Sequence, residues 1–291
     1  MASLLREWID EVAGQVAAFA TYGPEIQGRL HSKLKKSVLV LESVVADLAS
    51  GKRIADSASE RILRESLTRF LGGGTSIDLA IALSPVDYRG LRSAVWLNEG
   101  AAAFVLLLSP SVDFTRNPLL PRTVHEAAHA EASAHALVTH MDIFERWSGE
   151  ALCDLLAAMI AGPAFYFSTT AVVELLGKER SRDSDFGHPS MATRAQLLRA
   201  VGPLLWPESP VAGIAIQALP DRTLVCKPNE LRYEENLERR TTAQVATYQG
   251  LSTDKVVWEG AYLGGQEDAQ GSALVALNMD FAANATRGRG T

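Results

Sequence analysis

Apolar residues recur at three- and four-residue spacing along most of the chain, and in short strand-like runs over only one stretch. Leu5, Trp8, Val12, Val16 and Phe19 share a helical face; after a break at Gly23-Pro24, Val38, Leu41, Val45 and Leu48 resume the period. These positions predict helices within residues 3–49. Ala58 to Leu71 predicts another, closed by Gly72-Gly73-Gly74. From Ser76 to Ser109 the texture changes. Leu79 to Leu83, Ser93 to Leu97 and Ala102 to Leu108 read as short strands, and Asn98-Glu99-Gly100 would turn the last two into a hairpin. A loop with Pro118 and Pro121 then leads into a helix around Val124 to Val138.

Further on, Leu152, Leu155, Leu156 and Met159 mark the apolar face of a second helix. Ser148 is its predicted N-cap and Gly162-Pro163 its end. Ser209 to Gln217 is small and apolar, Leu224 to Lys227 reads as a short strand, and Asn229 to Gln249 as a helix with a solvated face. Beyond Gly264 the chain turns Gly-, Ala- and Asn-rich, and its last residues are expected to fray. The expected fold is α+β and mainly helical. We divide it into a helical region (1–74), a core (75–205) and a C-terminal region (206–291), with one compact domain as the alternative.

Composition narrows the function classes. The chain has 291 residues, 47% of them hydrophobic and 21% charged, and a net charge of −6, which favours neither nucleic acid nor an anionic membrane as partner. Lys33, Lys35 and Lys36 are read as the solvated side of a helix. Two cysteines, Cys153 and Cys226, make no disulfide framework, and Cys153 lies in an apolar helical run. Charges at Arg6, Glu7, Asp10 and Glu11 interrupt any signal-peptide core, and the longest apolar run, Ala101 to Leu108, is too short to span a bilayer. A soluble, cytoplasmic protein is expected. The glycine triplet has no following Gly-Lys-Ser/Thr and is no phosphate loop; no Gly-x-Ser-x-Gly elbow is present either.

Candidate chemistry centres on Val124-His125-Glu126-Ala127-Ala128-His129-Ala130. Residues four apart share a helix face, so His125 and His129 can close on one metal ion with Glu126 beside it. Two imidazoles leave positions open for a third ligand and a water, and a neighbouring carboxylate can take that water's proton. His135 and Glu150 are the two candidates for the third ligand. His135 completes a spacing similar to that of the metzincins, but Ala132 stands where they have a turning glycine. In a continuing helix His135 lies about 240° around from His129. Glu150 shares a helix face with Asp154. Two like charges at that spacing call for a positive partner, which a metal with its imidazoles would supply. Glu150 would then bind the metal while Asp154 accepts the free N–H of His125.

His-Glu-x-x-His followed some twenty residues later by Glu-x-x-x-Asp resembles the gluzincin arrangement of thermolysin-like and CAAX-prenyl-protease-like enzymes. The resemblance implies a zincin-like core with a small sheet beside the motif helix. It makes His125, His129 and Glu150 zinc ligands, Glu126 the general base and Asp154 the carboxylate behind a ligand. Gly187-His188-Pro189-Ser190-Met191-Ala192-Thr193-Arg194 is similar to the His-Pro-x-x-x-x-Arg segment of the CAAX-prenyl-protease-like group. That implies oxyanion stabilisation by His188 or Arg194. Read without the family, Ser190 starts a helix and Arg194 makes a salt bridge.

The resemblance spans about residues 95–200. Thermolysin's downstream His and Tyr have no counterparts, and without a membrane helix prenylated substrates are not expected. The expected function is soluble zinc-dependent peptide hydrolysis on a protein or peptide substrate. The alternative is a binding or regulatory protein on the same fold that hydrolyses nothing.

Overall fold

The computed structural model describes residues 57–83, 91–98, 100–108, 119–134, 143–184, 188–207, 209–220, 228–248 and 277. The helices expected within 3–49, His135, Cys226, the strand expected at 224–227 and the tail beyond Gly264 lie outside the described residues, apart from Leu277. The described chain is mainly helical α+β, with seven helices and a three-stranded sheet. It falls into two compact units, one holding the strands and the other the helices.

The strands are β1 (Ser76–Leu83), β2 (Leu91–Asn98) and β3 (Ala101–Leu108), in the order β1-β3-β2. The central strand β3 runs parallel to β1, with Ser76 opposite Ala101, and antiparallel to β2, with Asn98 opposite Ala101. The expected β2–β3 hairpin is therefore present. Gly100, with φ 71°, supplies the left-handed residue its turn needs, and its carbonyl accepts from the Ser76 N–H at 2.9 Å. Ala102, Phe104, Val105 and Leu106 are all buried, so β3 is covered on both faces, which is why its sequence is a continuous apolar run. The outer strands begin at Ser76 and Leu91, a few residues before the apolar positions that marked them, because ladder pairing with β3 carries the polar ends along.

The helices are α1 (Ser57–Leu71), α2 (Arg122–Ala134), α3 (Ile143–Ala161), α4 (Pro163–Arg180), α5 (Met191–Leu205), α6 (Pro210–Ala218) and α7 (Pro228–Tyr248). On α1, Ile62, Leu63, Leu67 and Phe70 form the buried stripe that packs on α2, and Gly72 (φ 81°) closes the helix in the left-handed conformation. The centre of this unit is α3. It packs on α2, α4, α5 and α7, and every residue from Glu150 to Ala161 is buried. A helix buried on every side belongs inside its domain, and its two buried carboxylates need partners there.

One boundary differs from the sequence reading. Ser148 does not cap α3; the helix begins at Ile143, and Ser148 is buried in its interior. Ser148-Gly149 carries local preferences worth about 1 kcal/mol or less, and packing overrides preferences of that size. The packing comes from Trp147, which joins Ala151, Leu197 of α5 and Leu237 of α7 in one apolar cluster, with Tyr233 against its edge. The far end follows the sequence: α3 stops at Ala161, Gly162 has φ 59°, and Pro163 opens α4.

Ser190 caps α5 by accepting from the Thr193 N–H, and Ser209 caps α6 by accepting from Ala212 N–H, with Pro210 at the first helical position. Gly202 in α5 lets α6 approach closely: a Cβ there would stand 2.6 Å from Cδ1 of Ile216. Tyr166 of α4 ties the same corner by donating to the Leu198 carbonyl at 2.9 Å. Among the described residues no helix is long and apolar enough to cross a membrane.

Candidate metal centre

Two helices supply the core of the site. On α2, buried alanines (Ala127, Ala128 and Ala130) allow close packing, and α2 lies against α3. His125 is buried and His129 partly so, with their rings edge to face and centroids 5.1 Å apart. On α3, Glu150, Cys153 and Asp154 occupy one face, as their three- and four-residue spacing dictates. From α4, Phe165 stacks on the His125 ring at 6.4 Å. From α5, Arg194 reaches in beneath Asp154.

Glu150 stands between both imidazoles. Its Oε2 is 3.3 Å from His125 Nε2, and its Oε1 is 3.7 Å from His129 Nε2. One ligand atom from each of the three residues can be chosen so that all lie within 4.8 Å of one another. Donors at zinc–nitrogen and zinc–oxygen distances around a tetrahedral ion are about 3.3 Å apart. Buried Glu150 Oε2 has no hydrogen-bond partner, although His125 Nε2 lies 3.3 Å away. A buried carboxylate oxygen without a partner is costly, and an ion between it and the imidazoles would satisfy it. His125, His129 and Glu150 could hold a metal ion.

Asp154 lies behind His125. The imidazole Nδ1–H donates to Oδ1 at 2.9 Å, which turns Nε2 toward Glu150. Arg194 grips the same carboxylate with two bonds, Nε to Oδ2 at 2.6 Å and Nη2 to Oδ1 at 2.5 Å. Arg122, one turn before His125, brings Nη1 to 3.5 Å from Oδ1 and lays its guanidinium over the Phe165 ring.

Burial sets the protonation states and the ion pairs modify them. Burial pushes Asp154 and Glu150 toward higher pKa. For Asp154 the Arg194 charge, with His125, overturns this, and for Glu150 the contact with His125 and the charges of His129 and Arg194 do so. Both carboxyls end far below the ordinary range. Burial, then Arg194, oppose a proton on His125, but Asp154 and Glu150 outweigh them and its pKa is raised. At His129 burial prevails and the pKa is lowered. Arg122 is lowered to about 10, by burial first and then by Arg194. Burial and the nearby carboxylates raise the Cys153 thiol well above its ordinary value, so it is a neutral S–H.

The other residues singled out in the sequence are placed as follows. Glu126 is half-buried on α2, and its carboxylate charge works against the burial that lowers the His129 pKa. His188 precedes the Ser190 cap, exposed, with Nε2 3.7 Å from Glu150 Oε1. Arg194 is buried and engaged with Asp154, its Nη1 3.7 Å from Glu150 Oε2. Sequence reasoning passed over Arg122 and the neighbourhood of Cys153, whose Sγ is 3.4 Å from His129 Nδ1. The signal was available: Arg122 is three residues before His125, and Cys153 three after Glu150, each on the same helix face.

Known proteins add nothing to this picture. No protein-family model, curated protein or solved structure matches the chain. The reading of the site rests on its own geometry.

Proposed function

We propose that this protein is a zinc-dependent peptide hydrolase of gluzincin type, with a zincin-like core and His125, His129 and Glu150 as the metal ligands. The observation that carries the reading is the carboxylate of Glu150. It comes from a different helix, lies against both motif imidazoles and keeps one buried oxygen without a hydrogen bond. Two histidines and a carboxylate suit zinc, and leave an open position. When bound, zinc supplies Lewis acidity at the carbonyl and makes water acidic enough to react near neutral pH.

The chain's own residues do the rest. Glu126 takes the proton of the attacking water and returns it to the leaving amine. Asp154 holds His125 in the tautomer that offers Nε2, and Arg194 holds Asp154. This makes Arg194 a positioning residue, and leaves His188, exposed and with Nε2 3.7 Å from Glu150 Oε1, to donate to the developing oxyanion. The substrate is a protein or peptide.

The test is Glu126→Gln. It should keep about one zinc per chain and lose cleavage of a proteome-derived peptide library by at least the ~10²-fold that general-base catalysis contributes. Turnover near the wild-type rate would remove Glu126 from the mechanism. Elemental analysis of Glu150→Ala and His135→Ala decides the third ligand: zinc should be lost in the first and kept in the second.

A further inference from the structure

We infer that Cys153 is the positioning residue for the second metal ligand, its sulfur accepting the Nδ1–H of His129 so that Nε2 is left free to bind metal. The inference rests on the metal site proposed above and extends it. The two imidazoles need the same support: each must carry its proton on Nδ1 and present Nε2 to the ion. His125 gets this from Asp154 at 2.9 Å. His129 has Cys153 Sγ 3.4 Å from its Nδ1, an ordinary length for a hydrogen bond to sulfur, while its Nε2 faces Glu150.

Both supporting groups come from α3, one on each side of the ligand set. Asp154 lies four residues after Glu150 and Cys153 three after it, so a single helix delivers the third ligand and the partner of each histidine. Metal-bound histidines regularly need such a partner, and losing it commonly weakens binding ~10–100-fold. The sulfur is fully buried. It is outside the ligand set itself, which among the described residues comprises His125, His129 and Glu150.

The experiment measures metal affinity on the full chain, by chelator competition with zinc and with cobalt(II), for wild type, Cys153→Val and Cys153→Ser. Valine has the shape of the side chain and no acceptor; serine keeps an acceptor. Valine should weaken zinc about tenfold or more, with the metal-free melting temperature near that of the wild type, and serine should fall between. The cobalt form of the wild type should lack the strong near-ultraviolet absorption of thiolate ligation. Where valine lowers the metal-free melting temperature, Cys153→Ala is scored in its place.

Equal affinity in the wild type and the apolar variant would overturn the inference and leave the metal site standing. Thiolate absorption that disappears in Cys153→Ser would overturn it in another way, by making Cys153 a ligand. A wild-type protein that binds neither metal would remove the site itself, and the inference with it.

Discussion

Replacing Arg194 by Met keeps most of the side chain's bulk and removes its charge. The guanidinium and the Asp154 carboxylate are both buried and joined by two short bonds, and Glu150 Oε2 lies 3.7 Å from the same guanidinium. Removing one partner leaves the other charge buried, at a cost of about 3–5 kcal/mol. In a unit of this size each kcal/mol moves the melting temperature by about 2–4 °C, so metal-free Arg194→Met should melt roughly 6–20 °C below wild type. The assay is thermal unfolding followed by circular dichroism, repeated in high salt, which should change the difference little because a buried pair is weakly screened. Asp154→Asn alone should also be costly. The Arg194→Met/Asp154→Asn double variant should lose less than the sum, by about 1–3 kcal/mol. A fall of less than about 3 °C for Arg194→Met, or strict additivity in the double variant, would refute the claim that the pair is desolvated and mutually dependent.

The same site and its packing set other outcomes. Zinc at a hundredfold excess over its dissociation constant should stabilise the chain by about 2.7 kcal/mol, read as a rise in melting temperature that a chelator reverses and that Glu150→Ala abolishes. Glu150 and Asp154 have folded-state pKa values below their ordinary ones, so their contribution to stability is complete above the usual carboxylate range. It is lost as pH falls, and metal-free melting temperatures should drop steadily below about pH 5. Between pH 6 and 8 the histidines oppose each other. The raised His125 contributes stability that is lost as pH rises and the lowered His129 stability that is lost as pH falls, so replacing His125 by Asn should shift the metal-free melting profile toward higher pH and replacing His129 by Asn toward lower pH. At Gly202 an added Cβ would stand 2.6 Å from Ile216 Cδ1, 2.9 Å from its Cγ1 and 3.1 Å from the Tyr166 hydroxyl, so the stiff isoleucine and a hydrogen-bonded tyrosine must both give way. Urea unfolding should show Gly202→Ala about 1–3 kcal/mol less stable than wild type, overpacking outweighing the gain in helix propensity.

Much of this arrangement was legible in the sequence because it follows from helical periodicity. His125 with His129 and Glu150 with Asp154 are each four apart, and that spacing alone puts each pair on one face. The hairpin at Asn98-Glu99-Gly100 and the stop at Gly162-Pro163 were legible for a similar reason: glycine and proline restrict the backbone locally. What escaped was decided by tertiary packing. Ser148 resembles a cap, and nothing near it in the chain reveals that Trp147 will be buried between α5 and α7 and draw another turn of helix in ahead of it. Arg194 was read as a charge available to a reaction, or as half of a salt bridge. Only the fold shows that its partner is the carboxylate behind His125. Cys153 looked like core, and it is core; its distance to His129 depends on how two helices cross, which neither segment encodes alone.

The burial of α3 has a consequence for traffic. A helix enclosed on four sides by α2, α4, α5 and α7 opens only when the whole unit opens, so an ion cannot come or go by way of the side that supplies Glu150. Side-chain exposure rises across the site from 3% at His125 through 10% at Glu150 to 29% at His129 and 57% at His188. Among the described residues of the site, His129 and His188 form its open side. An ion held as proposed would exchange on that side, and bulk introduced at His188 should slow both loading and loss while leaving the equilibrium affinity nearly where it was.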